Sequence, residues 1–267
     1  MRLSIFASGS TGNCALLSAG GRRFLIDAGL SAKAIRTALG SAGCSVEELD
    51  GILITHEHKD HVAGLAVLCK QKPLPVYAPG TVASHLRWSL PGVDASLRPF
   101  RPGQRLDFGG AAVTAFPTPH DTDQSVGYRI EAEGLCFAFA TDTGHVSEEM
   151  CQNLAGADLA VIEANHDEQM LREGPYPVFL KRRVLSERGH LSNAACAVLA
   201  GYLAQEGTKK LVLAHLSRQN NRPSLARAAV LPALQGSGTE LFIAPEKGRL
   251  DIEVAPCCAS ASSARAD

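Results

Sequence analysis

The chain alternates between short apolar runs and polar segments, and this pattern predicts many buried strands. Nine runs are apolar throughout or nearly so, as expected for strands that are covered on both faces. The predicted strands cover residues 3–7, 24–26, 51–54, 76–78, 112–116, 135–140, 159–162, 211–214 and 240–244. Because both faces of such strands need cover, we expect helices on the outside of the sheets.

Helices are predicted where a capping residue precedes a helical pattern of apolar positions. Ser31 can cap a helix that runs to about Leu39. Ser147 precedes two glutamates, which suit the positively polarised first turn of a helix. Two further helices are predicted over residues 192–203 and 223–234. The mixture of elements predicts an α/β or α+β fold in which helices cover sheets.

Composition is that of a soluble globular protein. Of the 267 residues, 45% are hydrophobic and 20% are charged, which disfavours a disordered or fibrous chain. Lys and Arg number 26 against 27 Asp and Glu, so the net charge is −1. This balance argues against binding nucleic acid by bulk charge, although a local phosphate site is still allowed.

The chain shows neither a secretory signal nor an apolar run near the roughly 18 residues of a membrane span. We therefore expect a cytoplasmic protein with no membrane association. One domain is expected over residues 1–254, followed by a disordered low-complexity tail, 255–267. The eight cysteines include no CxxC pair, and most lie in apolar stretches. They are predicted to be buried thiols in a reducing compartment.

Five of the predicted strands are followed by a His, Asp or Glu. These residues are His56, His120, Asp142, Glu163 and His215. Loops at the edge of a rigid sheet are where functional sites are commonly built. The regular placement therefore predicts a single site assembled from five strand ends.

The densest part of this pattern is the segment HEHKDH, residues 56–61. Imidazole and carboxylate ligands without a thiolate suit zinc, manganese or iron. Because the ligands exceed one tetrahedral site, we predict two divalent ions, about 3.5–4 Å apart, that share a water and lower its pKa. We assign His56, His58 and His120 to one ion, Asp60, His61 and His215 to the other, and Asp142 to a bridge between them. A solvated loop of titrating histidines is the alternative.

These ligand positions resemble the metallo-β-lactamase superfamily of binuclear hydrolases. The resemblance implies an α+β fold of the αββα sandwich type, in which helices cover two mixed sheets and the site lies at one sheet edge. Asp27 ends the second predicted strand and matches the first motif of the superfamily. There this residue supports the ligand loop by hydrogen bonding.

Within the superfamily the chain resembles the YycJ-type group, also called WalJ. The shared features are SGSTGNC (8–14), THEHKDH (55–61), EANHD (163–167), YP (176–177), GHLSN (189–193), HLS (215–217) and NNRP (220–223). The resemblance implies a phosphodiesterase, namely a 5′-to-3′ exonuclease that prefers single-stranded DNA. It also implies a link to mismatch repair, with repair proteins as candidate partners. In this hypothesis a hydroxide that bridges the ions attacks phosphorus.

His190 is the candidate for assisting the leaving group. It follows Gly189 at the start of a predicted helix, where N–H groups favour an anion. The segment resembles the Gly-His-Ser/Thr element of tRNA 3′-processing enzymes, in which the histidine faces the scissile phosphate and Glu163 has a counterpart. The catalytic residues we predict are Asp60, Asp142, His190 and Glu163. For His190, a surface histidine that caps the helix is the alternative.

Further residues are predicted to contact the substrate. They are His166, Asn165, Ser10, Asn13, Lys181 and Arg182. The loop over residues 8–13 is rich in Gly and Ser, so its backbone N–H groups can approach an anion, although a tight turn explains it almost as well. The basic run before His190 can follow a DNA backbone or can be a solvated face.

Other functions share the same ligands. One alternative is a hydrolase of a small cyclic phosphodiester, a thioester or a lactone, and another is an RNA-processing nuclease. The segment between Asp142 and His215 is too short for the large inserted domain of β-CASP nucleases. A noncatalytic protein with a relic site is disfavoured because all seven predicted ligand positions are filled. Zinc and manganese both suit these ligands.

Overall fold

The computed structural model describes residues 1–71 and 74–255, and two seven-stranded sheets form its centre. The strands are β1 (Arg2–Ala7), β2 (Cys14–Ala19), β3 (Arg22–Ile26), β4 (Gly51–Leu53), β5 (Val76–Pro79), β6 (Leu97–Phe100), β7 (Arg105–Asp107), β8 (Ala112–Pro117), β9 (Val126–Ala132), β10 (Leu135–Ala140), β11 (Leu159–Glu163), β12 (Lys210–Ala214), β13 (Glu240–Ile243) and β14 (Lys247–Glu253). The first sheet has the order β14-β1-β2-β3-β4-β5-β6, and the second has the order β13-β12-β11-β10-β9-β8-β7.

Both sheets combine antiparallel and parallel pairs in the same way. In the first sheet, β14, β1, β2 and β3 pair antiparallel, and β3 to β6 pair parallel. In the second sheet, β7 to β10 pair antiparallel, and β10 to β13 pair parallel. The parallel pairs align the carboxyl ends of their strands, so the polar residues that follow these strands lie along a shared edge.

Helices lie outside the sheets. They are α1 (Ala32–Ser41), α2 (Lys59–Val62), α3 (Leu65–Gln71), α4 (Gly80–Ser89), α5 (Glu148–Leu154), α6 (Glu168–Glu173), α7 (Val178–Val184), α8 (Asn193–Gln205) and α9 (Pro223–Val230). The side chains of Ser31, Ser147 and Ser192 accept hydrogen bonds from the third backbone N–H that follows each of them, at 3.2 Å. The caps predicted at these serines are therefore confirmed.

Three apolar clusters hold the layers together. Between the sheets, Phe24, Tyr128 and Phe137 pack in a common core and are fully buried. A second cluster lies under α1, α3 and α4, and a third lies under α5, α8 and α9. The layer order is helices, sheet, sheet, helices, so the αββα sandwich with two mixed sheets is confirmed.

All nine predicted strands are present, with bounds that differ by at most two residues. Five strands were not predicted, namely β2, β6, β7, β9 and β14. The helix predicted over residues 223–234 ends at Val230, and a 3₁₀ turn, Leu231–Leu234, follows it. This turn contains Pro232, which has no N–H to continue an α-helical ladder.

The described cysteines are free, and most are buried as predicted. Cys14, Cys44, Cys69, Cys136 and Cys196 are buried, whereas Cys151 is partly exposed. Cys257 and Cys258 lie outside the described residues, and so does the predicted tail from residue 256 onward. Within the described ranges, no helix is long and apolar enough to cross a membrane.

Candidate metal centre

The polar residues that follow the strand ends meet at one edge of the sandwich. Within each of two triads, the candidate ligand atoms lie within 4.8 Å of one another; the first triad is His56, His58 and His120, and the second is Asp60, His61 and His215. Asp142 forms a further such group with His56 and His61. Asp142 therefore lies between the two triads, and the structure brings together all seven residues that the sequence analysis assigned to metal.

A short local structure presents the densest ligands. After β4 the chain passes through the histidine-rich loop and enters the single-turn helix α2, which carries Asp60 and His61. The carbonyl of Asp60 accepts a hydrogen bond from the N–H of Asn13 at 2.8 Å. A Cβ atom on Gly29 would lie 1.7 Å from the same carbonyl oxygen. Only glycine allows this close approach of two loops.

Hydrogen bonds from Nδ1 orient four of the five histidines. Nδ1 of His56 is 3.0 Å from Thr55 Oγ1, and Nδ1 of His61 is 2.8 Å from Asp27 Oδ2. Nδ1 of His120 is 3.1 Å from the carbonyl oxygen of Gly189, and Nδ1 of His215 is 2.8 Å from Glu163 Oε1. A histidine that donates from Nδ1 presents the lone pair of Nε2 to a metal. These contacts therefore fix the ring orientation that metal binding needs.

Two observations show that the centre fits divalent cations. Nε2 of His215 and Oδ2 of Asp142 are buried without a hydrogen-bond partner, which is unusual for polar atoms inside a protein. Nε2 of His56 lies 3.0 Å from Nδ1 of His58. Two nitrogens bound to one tetrahedral zinc at about 2.0–2.1 Å would be about 3.3 Å apart. A cation would therefore satisfy atoms that the protein leaves unpaired.

The backbone is strained at the same place. Asp27, Asp142 and His215 have φ values of 57°, 56° and 56°, in the left-handed region that residues with a side chain rarely adopt. Such a conformation costs about 1–3 kcal/mol and persists only where the surroundings impose it. At His215, for example, the N–H donates to Ser8 Oγ at 2.7 Å. The surrounding structure thus holds these three residues in an unfavourable backbone conformation, which places their side chains at the centre.

Glu163 is fully buried, and its carboxylate accepts four hydrogen bonds. Oε1 accepts from Nδ1 of His190 and from Nδ1 of His215, both at 2.8 Å. Oε2 accepts from the backbone N–H groups of Thr143 at 2.9 Å and Leu191 at 3.2 Å. Burial raises the pKa of Glu163, but His190 and His215 outweigh it and hold this pKa below its usual range. One carboxylate thus positions both a candidate metal ligand and the candidate acid.

Electrostatics at the centre differ from ring to ring. Burial lowers the pKa of His56 far below its usual value, and it also lowers the pKa of His120. Both rings are therefore neutral, as metal ligands must be. Burial likewise lowers the pKa of His61, but the carboxylates of Asp27 and Asp142 outweigh it and raise this pKa to about 9. The carboxylates of Asp27 and Asp142 therefore favour a positive charge at the ring of His61.

Two residues of the centre were missed by the sequence analysis. The Thr55 hydroxyl donates to Asp27 Oδ2 at 3.0 Å, and its oxygen is 3.0 Å from Nδ1 of His56. Thr55 therefore links Asp27 to His56. Asp121 places Oδ1 3.2 Å from Nε2 of His120. The available signals were weak: Thr55 immediately precedes the histidine motif, and Asp121 immediately follows a predicted ligand.

The predicted substrate contacts occupy different positions. Asn13 lies in the centre, with Nδ2 3.0 Å from Nε2 of His61. Ser10 is exposed on the loop that leads to Asn13. The amide of Asn165 donates to the carbonyl of His215 at 2.9 Å, so it supports a strand end.

His166 is 1% exposed, and both of its ring nitrogens are without a partner among the described residues. Lys181 donates from Nζ to the carbonyl of Arg172 at 2.6 Å. Arg182 is exposed, and no hydrogen bond or ion pair engages it within the described chain. Lys181 and Arg182 lie on α7, outside the triads.

Comparison with known proteins assigns the chain to a superfamily. Residues 22–216 match the family model described as "Beta-lactamase superfamily domain". The chain belongs to this superfamily. It is 38% identical to Exodeoxyribonuclease YycJ of Bacillus anthracis over 89% of this chain and 90% of that protein. It is also 39% identical to Exodeoxyribonuclease WalJ of Streptococcus pneumoniae, over 87% of this chain and 88% of that protein. Within the superfamily, it belongs to the family of these two relatives.

Solved structures share the fold. The metallo-β-lactamase fold protein YhfI of Bacillus subtilis superposes with a TM-score of 0.70 at 20% identity, over 94% of this chain and 100% of that one. Zn²⁺-bound PqqB of Methylobacterium extorquens gives a TM-score of 0.71 at 18% identity, over 95% and 100%. The short form of human tRNase Z gives 0.66 at 20% identity, over 96% and 100%.

Proposed function

We propose that this protein is a metal-dependent exodeoxyribonuclease that digests single-stranded DNA from the 5′ end in DNA repair in the cytoplasm. The observation that carries the proposal is the pair of triads joined by Asp142, with His190 held beside it by Glu163. Relatives that align over most of their length are named exodeoxyribonucleases, which supports DNA as the substrate.

The donor set fits two divalent ions, zinc or manganese. One triad would hold each ion, and the carboxylate of Asp142 would be shared between them. When bound, the ions neutralise phosphate charge and activate water as a nucleophile. The side chains of His58 and Asp60 are 31% and 25% exposed, so the centre is open on their side. A phosphodiester can approach from this side.

The protein residues then orient the reacting groups. His190 is engaged at Nδ1 by Glu163, so Nε2 is the ring atom available to the substrate. From Nε2 it donates to the phosphoryl or leaving oxygen, where a positioned donor contributes typically 10²–10⁴-fold. Asp142 is buried between the two triads, so its carboxylate would orient the attacking water through the ions that it helps to hold. Ser10 and Arg182 are exposed and are proposed to contact the strand beyond the scissile bond, whereas the buried side chains of Asn13 and His166 are proposed to support the site from inside the protein.

The test is digestion of end-labelled single-stranded DNA by purified protein with added Mn²⁺ or Zn²⁺. We expect stepwise shortening from the 5′ end, which His58→Ala abolishes. His190→Ala should retain bound metal but digest about 10²–10⁴-fold more slowly. RNA and small diesters and thioesters are the comparison substrates. Absence of DNA cleavage by metal-loaded wild-type protein would contradict the proposal, and cleavage of a comparison substrate alone would reassign the function.

A further inference from the structure

The short helix α7 exposes large apolar side chains. Phe179 is 74% exposed and Val178 is 66% exposed, and the buried residue of this helix is Val184. Single exposed apolar residues are common, but an aromatic ring almost wholly outside the core and next to a second apolar side chain is unusual. An exposed apolar pair of this kind is a candidate contact for a ligand or a partner.

Contacts at the end of α7 place this helix beside the metal centre. Arg183 donates from Nε to Oδ2 of Asp121. Oδ1 of the same carboxylate lies 3.2 Å from Nε2 of the candidate ligand His120. The N–H of His190 donates to the carbonyl of Val184 at 3.0 Å. The C-terminal half of α7 is thus attached to both the first triad and the candidate acid.

The helical repeat places Phe179 on the same face of α7 as Arg183. Residues four apart lie on one face of a helix, one above the other. Phe179 precedes Arg183 by four residues, and Arg183 reaches the carboxylate beside His120. The aromatic ring therefore lies about one turn, roughly 5.4 Å along the axis, farther from the centre on that face.

The charged residues of α7 itself are all basic, namely Lys181, Arg182 and Arg183. Arg182 follows Phe179 by three residues, is exposed, and has no hydrogen bond or ion pair within the described residues. Asp121, which contacts the helix, is already paired with Arg183. The ammonium of Lys181 donates to a backbone carbonyl, which does not neutralise its charge. An aromatic ring with a free guanidinium beside it is the combination that binds a base and its phosphate.

We propose that Phe179 and Arg182 form a platform for single-stranded nucleic acid, on which a base close to the scissile phosphate stacks while Arg182 contacts the neighbouring phosphate. This inference rests on the proposed nuclease function and adds a source for its strand preference. In a duplex, both faces of an interior base are already stacked, so the ring of Phe179 is accessible only to an unpaired strand.

The test compares Phe179→Ala with Phe179→Trp in the metal-loaded protein. Binding and digestion of a fluorescein-labelled oligothymidylate depend on both the platform and the metal centre. Hydrolysis of bis(p-nitrophenyl) phosphate depends on the metal centre alone. We expect Phe179→Ala to weaken oligonucleotide binding about tenfold or more, as loss of one base–aromatic stack does. Hydrolysis of the small diester should be unchanged. Phe179→Trp should bind like wild type.

Trp88→Ala is the matched control, since Trp88 is an aromatic residue 86% exposed near the end of α4. Equal oligonucleotide binding by wild type and Phe179→Ala, with DNA still digested, would overturn the platform alone. An equal loss in Trp88→Ala would also overturn it, because the effect would not be specific to α7. Wild-type protein that cleaves the small diester but neither binds nor digests the oligonucleotide would overturn both the platform and the nuclease function.

Discussion

At the scale of single residues, His166 is a buried histidine whose ring forms no hydrogen bond within the described chain. Its ring is 1% exposed, and neither nitrogen has a partner among the described residues. Burial lowers the pKa of this ring, so it is neutral. A buried polar group left without a hydrogen bond costs about 1–3 kcal/mol. Such a cost is commonly tolerated where a side chain serves function rather than stability.

We therefore expect His166→Leu to unfold at a higher temperature than wild type while it digests DNA more slowly. A gain of about 1 kcal/mol would raise the melting temperature by roughly 2–4 °C in a chain of this size. Thermal unfolding of the metal-loaded proteins measures the first effect, and the oligonucleotide assay measures the second. His145→Leu is the control, since exposed His145 donates to the carbonyl of Glu187 at 2.8 Å and should gain no stability. A lower melting temperature for His166→Leu would contradict the prediction.

The candidate ligands could be found from sequence because each follows a predicted strand, and four lie within one six-residue segment. Their orientation could not be found in this way. The left-handed backbone of Asp27 and Asp142 occurs without glycine, and the modest preference of aspartate for this region is too weak to predict it. The link from Thr55 to Asp27 also depends on contacts between residues far apart in the chain.

At the scale of elements, strands and helices were found where local chemistry marks them. Serine caps predicted helices, and continuous apolar runs predicted strands. The strand β14 was not predicted, because exposed charges interrupt the apolar positions of its sequence, KGRLDIE. It pairs at the edge of a sheet, where such charges are common. The helix α7, with the sequence VFLKRRV, lacks a helical pattern of apolar residues. Its position depends on tertiary contacts such as that of Arg183 with Asp121.

The hairpin between β9 and β10 allows a prediction about stability. Its two-residue loop is Glu133-Gly134, with φ values of 55° and 72°. Two positive φ values are typical of a type I′ turn, which favours Asn-Gly. Left-handed backbone costs roughly 1–2 kcal/mol for most L-residues and less for asparagine. We expect Glu133→Asn to raise the melting temperature by about 2–4 °C without changing activity.

Thermal unfolding checks the change at Glu133. Asp123→Asn serves as the comparison, since Asp123 is exposed and has no positive φ, and this variant should melt like wild type. A melting temperature for Glu133→Asn at or below that of wild type would show that the side chain of Glu133 contributes more than its backbone strain costs.

For the whole molecule, the candidate centre joins the two sheets. His56 follows β4 in the first sheet, whereas His120 and Asp142 follow strands of the second sheet. Metal bound to these residues stabilises the folded state by an amount that grows with the logarithm of the free metal concentration divided by the dissociation constant. With free metal at 1,000 times its dissociation constant, the gain is about 4 kcal/mol.

We therefore expect a chelator to lower the melting temperature, and added Zn²⁺ or Mn²⁺ to restore it. The measurement is thermal unfolding with and without chelator. The double variant His120→Ala/His215→Ala removes one candidate ligand from each triad and should respond little to either treatment. An equal response of wild type and this variant would show that the chelator acts elsewhere.

The pairing of β1 with β14 has a consequence for synthesis. Arg2 pairs with Glu253, so β1 is synthesised long before its partner strand β14. At roughly 5–20 residues per second, the ribosome needs roughly 10 to 50 s to add the chain between them. Every candidate ligand, up to His215, is synthesised before this partner strand. Until β14 is made, the nascent protein exposes an unpaired sheet edge, the kind of surface on which chains aggregate, although the candidate metal ligands have already been synthesised.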